Sequence, residues 1–140
     1  MVLVFLSAVA ISGFNGCFQY PEGPDFTLQL RDERLRGTWL LTEFTDAGGN
    51  NLISEHQNET LTVQFSRSGD RIWSEFKDGN LVNFGSYEFT YGNDYLIVFF
   101  EILNTNQTGG VQVFYTIRRL TDKELKFIDD AGNTRFYEKY

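Results

Sequence analysis

The chain has 140 residues, of which 41% are hydrophobic, 22% charged and 16% aromatic, a composition that supports one core and argues against disorder. A formal net charge of -7 argues against polyanion partners, since nucleic acids and anionic lipid surfaces are gripped by clustered Lys and Arg. The aromatic share favours strands, where flat rings pack well on a pleated surface.

Residues 1–20 carry no charge. Val2, Leu3, Val4, Phe5 and Leu6 lead into Ala8, Val9, Ala10 and Ile11, and the run dissolves into Ser12-Gly13-Phe14-Asn15-Gly16-Cys17. The apolar part is shorter than the roughly 20 residues that span a bilayer, so it reads as an export signal over 1–17, although without the usual basic start. Cys17 is the only cysteine, which excludes an internal disulfide. Gly16-Cys17 after an apolar leader resembles the cleavage box of bacterial lipoproteins, with Phe14 and Asn15 departing from its usual residues. That resemblance implies that Cys17 carries lipid and that the protein is exported to the cell envelope, as an outer-membrane lipoprotein whose one membrane attachment is the lipid. A plain secreted protein with an incidental cysteine, or a buried leader helix, is the alternative.

Residues 18–25 hold both prolines and read as a tether, and the domain proper spans 26–140. A short helix is expected over 27–35, with Asp25 as N-cap, apolar contacts from Phe26, Leu28, Leu30 and Leu35, and Gly37 as its end. Strands are expected at 38–45, 60–66, 71–77, 81–91, 95–102, 111–119, 125–129 and 134–139. The turns between them are rich in Gly, Asn and Asp, which tolerate the positive φ of tight hairpins, and such short connections make neighbouring strands antiparallel. The longer segment 47–59 is expected to form a flap.

Alternation is clear in the second strand (Leu61, Val63, Phe65) and the sixth (Val111, Val113, Tyr115, Ile117). One apolar face per strand implies one shared interior. About eight hairpin-linked strands close into an all-β, antiparallel up-and-down barrel behind a short N-terminal helix, with a two-sheet sandwich as the alternative. The fifth strand breaks the pattern, because Tyr95 to Phe100 are apolar on both faces. Cover of its outer face by the N-terminal helix is expected; an exposed patch for a partner is the alternative.

Gly37-Thr38-Trp39, just after a short helix and opening the first strand, resembles the Gly-x-Trp signature of lipocalins. Leu35-Arg36-Gly37-Thr38-Trp39-Leu40-Leu41, Gly85-Ser86-Tyr87 and Ile117-Arg118-Arg119-Leu120-Thr121-Asp122-Lys123-Glu124-Leu125 are similar to stretches of the short lipocalin-like lipoproteins of Bacteroidetes-type bacteria. This resemblance covers residues 35–140. It implies a lipocalin-like barrel in which Trp39 closes one end and a basic residue of the last strand packs over it. Arg135 is the candidate for that partner, so Gly37, Trp39 and Arg135 are expected to serve the fold.

No catalytic constellation is legible. His56 is the sole histidine, lies in the flap, and has no Gly-x-Ser-x-Gly elbow to serve. Glu43, Glu75, Glu88 and Glu101 lie inside strands and are expected to face water. No metal set or cofactor motif is present, and the turn carboxylates read as turn formers. The resemblance and the aromatic strands imply a non-enzymatic binding protein for a small, largely apolar ligand in or at the mouth of the barrel. Trp73, Phe84, Tyr87, Phe89, Phe99 and Phe114 are the candidate lining residues, which alternation alone does not divide between interior and exterior. The alternative is an envelope protein–protein module or accessory subunit without a small-molecule ligand.

Overall fold

In the computed structural model, residues 20–23, 30–90, 95–101 and 110–140 are described. Helix α1 (Arg31–Leu35) precedes eight strands: β1 (Gly37–Thr45), β2 (Glu59–Phe65), β3 (Arg71–Lys77), β4 (Asn80–Phe89), β5 (Tyr95–Glu101), β6 (Gly110–Leu120), β7 (Glu124–Asp129) and β8 (Thr134–Lys139). Each strand pairs antiparallel with the next, and β8 returns to β1, so the sheet closes into an up-and-down barrel. Tight turns enforce this order. Asp78 and Gly79 between β3 and β4 both have positive φ, as a two-residue hairpin of the right twist requires. Bulges in β1, between β3 and β4, and between β6 and β7 add the local twist that bends the sheet round on itself.

Inner faces follow the alternation. Leu61 and Val63 of β2, Leu96, Val98 and Phe100 of β5, Tyr115 and Ile117 of β6, and Leu125 and Phe127 of β7 are buried. Rings fill the middle of the barrel: Trp73 stacks on Tyr115 at 5.9 Å, and Tyr115 lies 4.4 Å from Phe127. Burying each such side chain contributes about 1.5–3 kcal/mol. Gly85 permits the closest approach in this wall. A Cβ there would lie 1.9 Å from the carbonyl oxygen of Phe99 on the next strand.

One barrel end is closed by α1. Leu35 and Trp39 are fully buried there, and the Trp39 indole N–H donates to the Leu35 carbonyl at 2.8 Å. Arg34 Nη1 donates to the Leu120 carbonyl at 2.6 Å, and Arg71 makes a two-pronged contact with Asp32 at 3.1 Å. The basic residue over Trp39 is Lys139, not Arg135. Register is the reason: Trp39 pairs with Lys139 across the β1–β8 seam, whereas Arg135 pairs with Phe44 near the other end. Lys139 Nζ lies 4.6 Å from the Trp39 ring and donates to the Arg34 carbonyl at 3.0 Å. Gly37 leaves room for the lysine stem, since a Cβ there would come within 2.9 Å of Lys139 Cε.

The helix is shorter than expected over its described part. It begins at Arg31, and the preceding Leu30 is extended and exposed, without a side-chain cap. The expected N-cap Asp25 and the contacts of Phe26 and Leu28 lie outside the described residues, as do Cys17 and the whole of the 1–17 leader. No described helix is long and apolar enough to cross a membrane. The four described residues of the tether lie against the barrel: Tyr20 is buried, the Glu22 N–H donates to the Arg118 carbonyl at 2.9 Å, and the Glu22 carboxylate accepts from Lys126 Nζ at 2.7 Å.

Candidate functional site at the barrel mouth

At the end opposite α1 lie the β1–β2 connection, the β3–β4 turn, the β7–β8 turn, the end of β5 and the start of β6. Here the interior is not filled. A depression of about 680 Å³ opens above the Trp73–Tyr115 stack, lined by Phe100, Val111, Val113 and Tyr115 of the adjacent strands β5 and β6 and by Glu75, Asn83, Asp129 and Arg135 from the strands to either side. A side recess of about 260 Å³ under the flap shares Glu75, Val82, Asn83 and Arg135 with it, and is closed by His56, Glu59, Lys77 and Tyr137. The two spaces lie side by side at the mouth. A groove of about 800 Å³ at the far end, beside the β6–β7 turn, is bounded by Thr121 to Glu124, Glu138 and Lys139.

The polar groups of the mouth are held in place. Both oxygens of Glu75 accept from neutral donors, the Trp73 indole N–H at 2.9 Å and Asn83 Nδ2 at 2.7 Å. Asp129 accepts from the backbone N–H groups of Ala131 and Asn133 and from Asn133 Nδ2, which shapes the β7–β8 turn. Arg135 lies over the Phe44 ring at 5.1 Å and 3.7 Å from Asp129 Oδ2. Burial pushes the phenols of Tyr115 and Tyr137 well above their ordinary value, so both stay neutral hydrogen-bonding groups. The flap is latched to this rim: His56 stacks on Phe44 at 3.9 Å, its Nδ1 lies 3.0 Å from Glu59 Oε1, and Lys77 Nζ lies 3.4 Å from the same oxygen.

None of the six aromatic candidates borders this depression. Trp73 lies beneath it in the packed core. Tyr87 is buried toward the helix end, its hydroxyl 3.5 Å from Asp32, and Phe89 packs there under the Arg31 guanidinium. Phe84, Phe99 and Phe114 point outward, because Gly85, Phe100 and Tyr115 beside them take the inner face. Glu75 also departs from expectation: it pairs with Leu61 and shares the inner face with Trp73, while Glu43, Glu88 and Glu101 are exposed. Its spacing two residues after Trp73 was the available signal, since strand residues of equal parity share a face. Helix cover of the outer face of β5 is corrected as well. Helix α1 lies at the barrel end against β6, and Tyr95, Phe99 and Phe114 remain 49%, 38% and 41% exposed. Among the described residues, no three His, Cys, Asp or Glu side chains gather as a metal-binding set.

No protein-family model matches the chain, and neither does any curated protein. Solved structures do. A lipocalin-like protein from Bacteroides uniformis ATCC 8492 superposes with a TM-score of 0.54 at 17% identity, covering 76% of this chain and 99% of its own. A protein from Burkholderia xenovorans gives a TM-score of 0.46 at 18% identity, over 78% of this chain and 86% of its own. With the closed eight-stranded topology, the first of these likenesses shows that the chain has a lipocalin-like fold.

Proposed function

We propose that the protein is an exported, lipid-anchored binding protein that holds a small, largely apolar ligand at the mouth of its barrel. The observation that carries this reading is the depression of about 680 Å³ with one apolar wall, above a barrel middle that is otherwise packed. The likeness to a lipocalin-like protein adds a fold in which a barrel mouth is a common place for a ligand. Export and lipidation rest on the uncharged apolar leader and on Gly16-Cys17. Binding rather than catalysis fits a mouth whose histidine is engaged by Phe44 and Glu59.

Native mass spectrometry of the protein drawn gently from its host envelope tests the ligand. A retained small mass that leaves on denaturation supports the carrier. A bare chain, with no mass recovered after extraction into organic solvent, counts against it. The mass of the mature N-terminus tests the anchor: a diacylglyceryl-modified Cys17 is expected, and an unmodified or internal Cys17 refutes it.

A second reading, an envelope interaction module, is favoured by the outer aromatics Tyr95, Phe99 and Phe114 on β5 and β6.

A further inference from the structure

The wall formed by β5 and β6 carries no charge over most of its length. No Asp, Glu, Lys or Arg occurs from Tyr95 to Phe100 or from Gly110 to Ile117. The two stretches pair along their length, so Tyr95, Ile97 and Phe99 lie beside Thr116, Phe114 and Gln112 on one outer surface. Leu96, Val98 and Tyr115 take the inner positions, and the rings of Tyr95, Phe99 and Phe114 stay exposed. Charge returns only at the margins, with Glu88 opposite Ile97 on β4, Glu101 at the end of β5 and Arg118 beyond Thr116 on β6. Because β5 pairs with β4 on one side and with β6 on the other, this face brings no free strand edge with it.

The tether docks at the border of this face. A bulge between Ile117 and Arg119 interrupts the β6–β7 ladder, and there the Arg118 carbonyl accepts from the Glu22 N–H at 2.9 Å while the Glu22 carboxylate pairs with Arg118 and Lys126. Thr116, the partner of Tyr95, lies two residues along β6 from Arg118, about 7 Å away. Tyr20 is buried, and Cys17 precedes it by three residues, which reach at most about 11 Å. A lipid on Cys17 therefore enters the bilayer beside the uncharged wall. From that wall and the tether docked next to it we propose that the outer face of β5 and β6 rests in the surface of a lipid bilayer, with Tyr95, Phe99 and Phe114 at the level of the headgroups, where aromatic rings gather. This rests on the lipid-anchor reading above and adds a second membrane contact to it. The contact is apolar, so the net charge of -7 does not oppose it on zwitterionic headgroups. Six uncharged residues on β5 and eight on β6 fall short of the roughly 9–11 of a crossing strand, so the face lies in one surface and does not span.

Fluorescence quenching tests it on the protein as its host processes it, in phosphatidylcholine vesicles with brominated acyl chains. Trp39 and Trp73 are fully buried, so an added surface tryptophan is read above a constant background. Phe99→Trp and Phe114→Trp, each alone, are expected to lose about half of the added emission, because an interfacial face sits roughly 5–10 Å into the headgroup boundary. Gln64→Trp, outward on β2 and four strands from β6 in the closed order, is expected to lose none. A further variant separates a face held by lipid from one merely turned inward by the tether. Tyr95→Trp is expected to be quenched like the other two, and adding Phe99→Ser and Phe114→Ser should restore most of its emission. Quenching that persists without the two rings overturns the inference, as does equal quenching of Phe99→Trp and Gln64→Trp, or quenching of neither. A lipidated Cys17 with an unquenched Phe99→Trp that crosslinks to an envelope protein gives the face to a protein partner, and overturns the inference while the anchor stands. An unmodified Cys17, read by mass, overturns the anchor reading and the inference with it.

Discussion

Two residues carry more of the fold than their size suggests. Gly85 lies where β4 and β5 approach so closely that any Cβ meets the Phe99 carbonyl oxygen. Gly85→Ala should therefore push the strands apart and cost at least about 3 kcal/mol, read as a fall in the urea midpoint or as failure to fold. Lys139 is the second. Its ammonium over Trp39 and its bond to the Arg34 carbonyl tie the last strand to the helix cap. Lys139→Met keeps much of the stem and removes both interactions, so a loss of about 1–2 kcal/mol is expected, with Trp39 emission shifted. Arg135→Met should leave that emission component unchanged, because Arg135 lies over Phe44. Gly37 and Trp39 could be singled out in the sequence from a short motif. Their basic partner could not, because it depends on the β1–β8 register, a pairing of residues about a hundred positions apart that local pattern does not encode.

At the scale of elements, strands and turns were legible because their physics is local: period-two alternation, and Gly, Asn or Asp wherever φ turns positive. All eight strands lie within two residues of expectation wherever their ends are described. The mouth was less legible. Phe84, Phe99 and Phe114 are aromatic like the core residues beside them, and only parity separates the outer set from Phe100 and Tyr115. In β5 both parities are apolar, so composition gave no vote there. This division is testable. Phe99→Ser with Phe114→Ser should change stability by no more than about 0.5 kcal/mol each, as surface substitutions do, whereas Val98→Ala one position away should cost about 1–3 kcal/mol. Chemical denaturation of the variants decides. Equal losses on both faces would mean that the outer rings are packed.

For the molecule as a whole, the docked residues Tyr20 and Glu22 would fix how a barrel carrying the proposed lipid anchor stands. Tyr20, three residues beyond Cys17, is buried, and Glu22 is pinned to Arg118 and Lys126 on β6 and β7. Three extended residues reach at most about 11 Å. With Cys17 lipidated, as proposed, this strip of the wall is drawn to the bilayer surface. The lysines and arginines gathered toward the helix end lie near it, and the acidic mouth has little reason to approach anionic headgroups. The pin is itself pH-dependent. The hydrogen bond from Lys126 chiefly, helped by the charges of Lys126 and Arg118, holds the Glu22 carboxyl below its ordinary value of 4.5. A carboxylate depressed in the docked state stabilises docking fully above about pH 4.5, and that contribution is lost as pH falls through the lowered value. Spin labels at Ser68 in the β2–β3 turn, at Asp122 in the β6–β7 turn and at Asp78 beside the mouth can read the arrangement on vesicles. At pH 7 the Asp122 label is expected to contact a lipid-borne relaxation agent more strongly than the Asp78 label. Glu22→Gln, or acidification through the lowered Glu22 value, should narrow the difference as the carboxylate pin is lost. Equal relaxation of all three labels at pH 7 would mean that the tether does not orient the barrel, and stronger relaxation at Asp78 would place the mouth against the membrane and require the ligand to arrive from the bilayer.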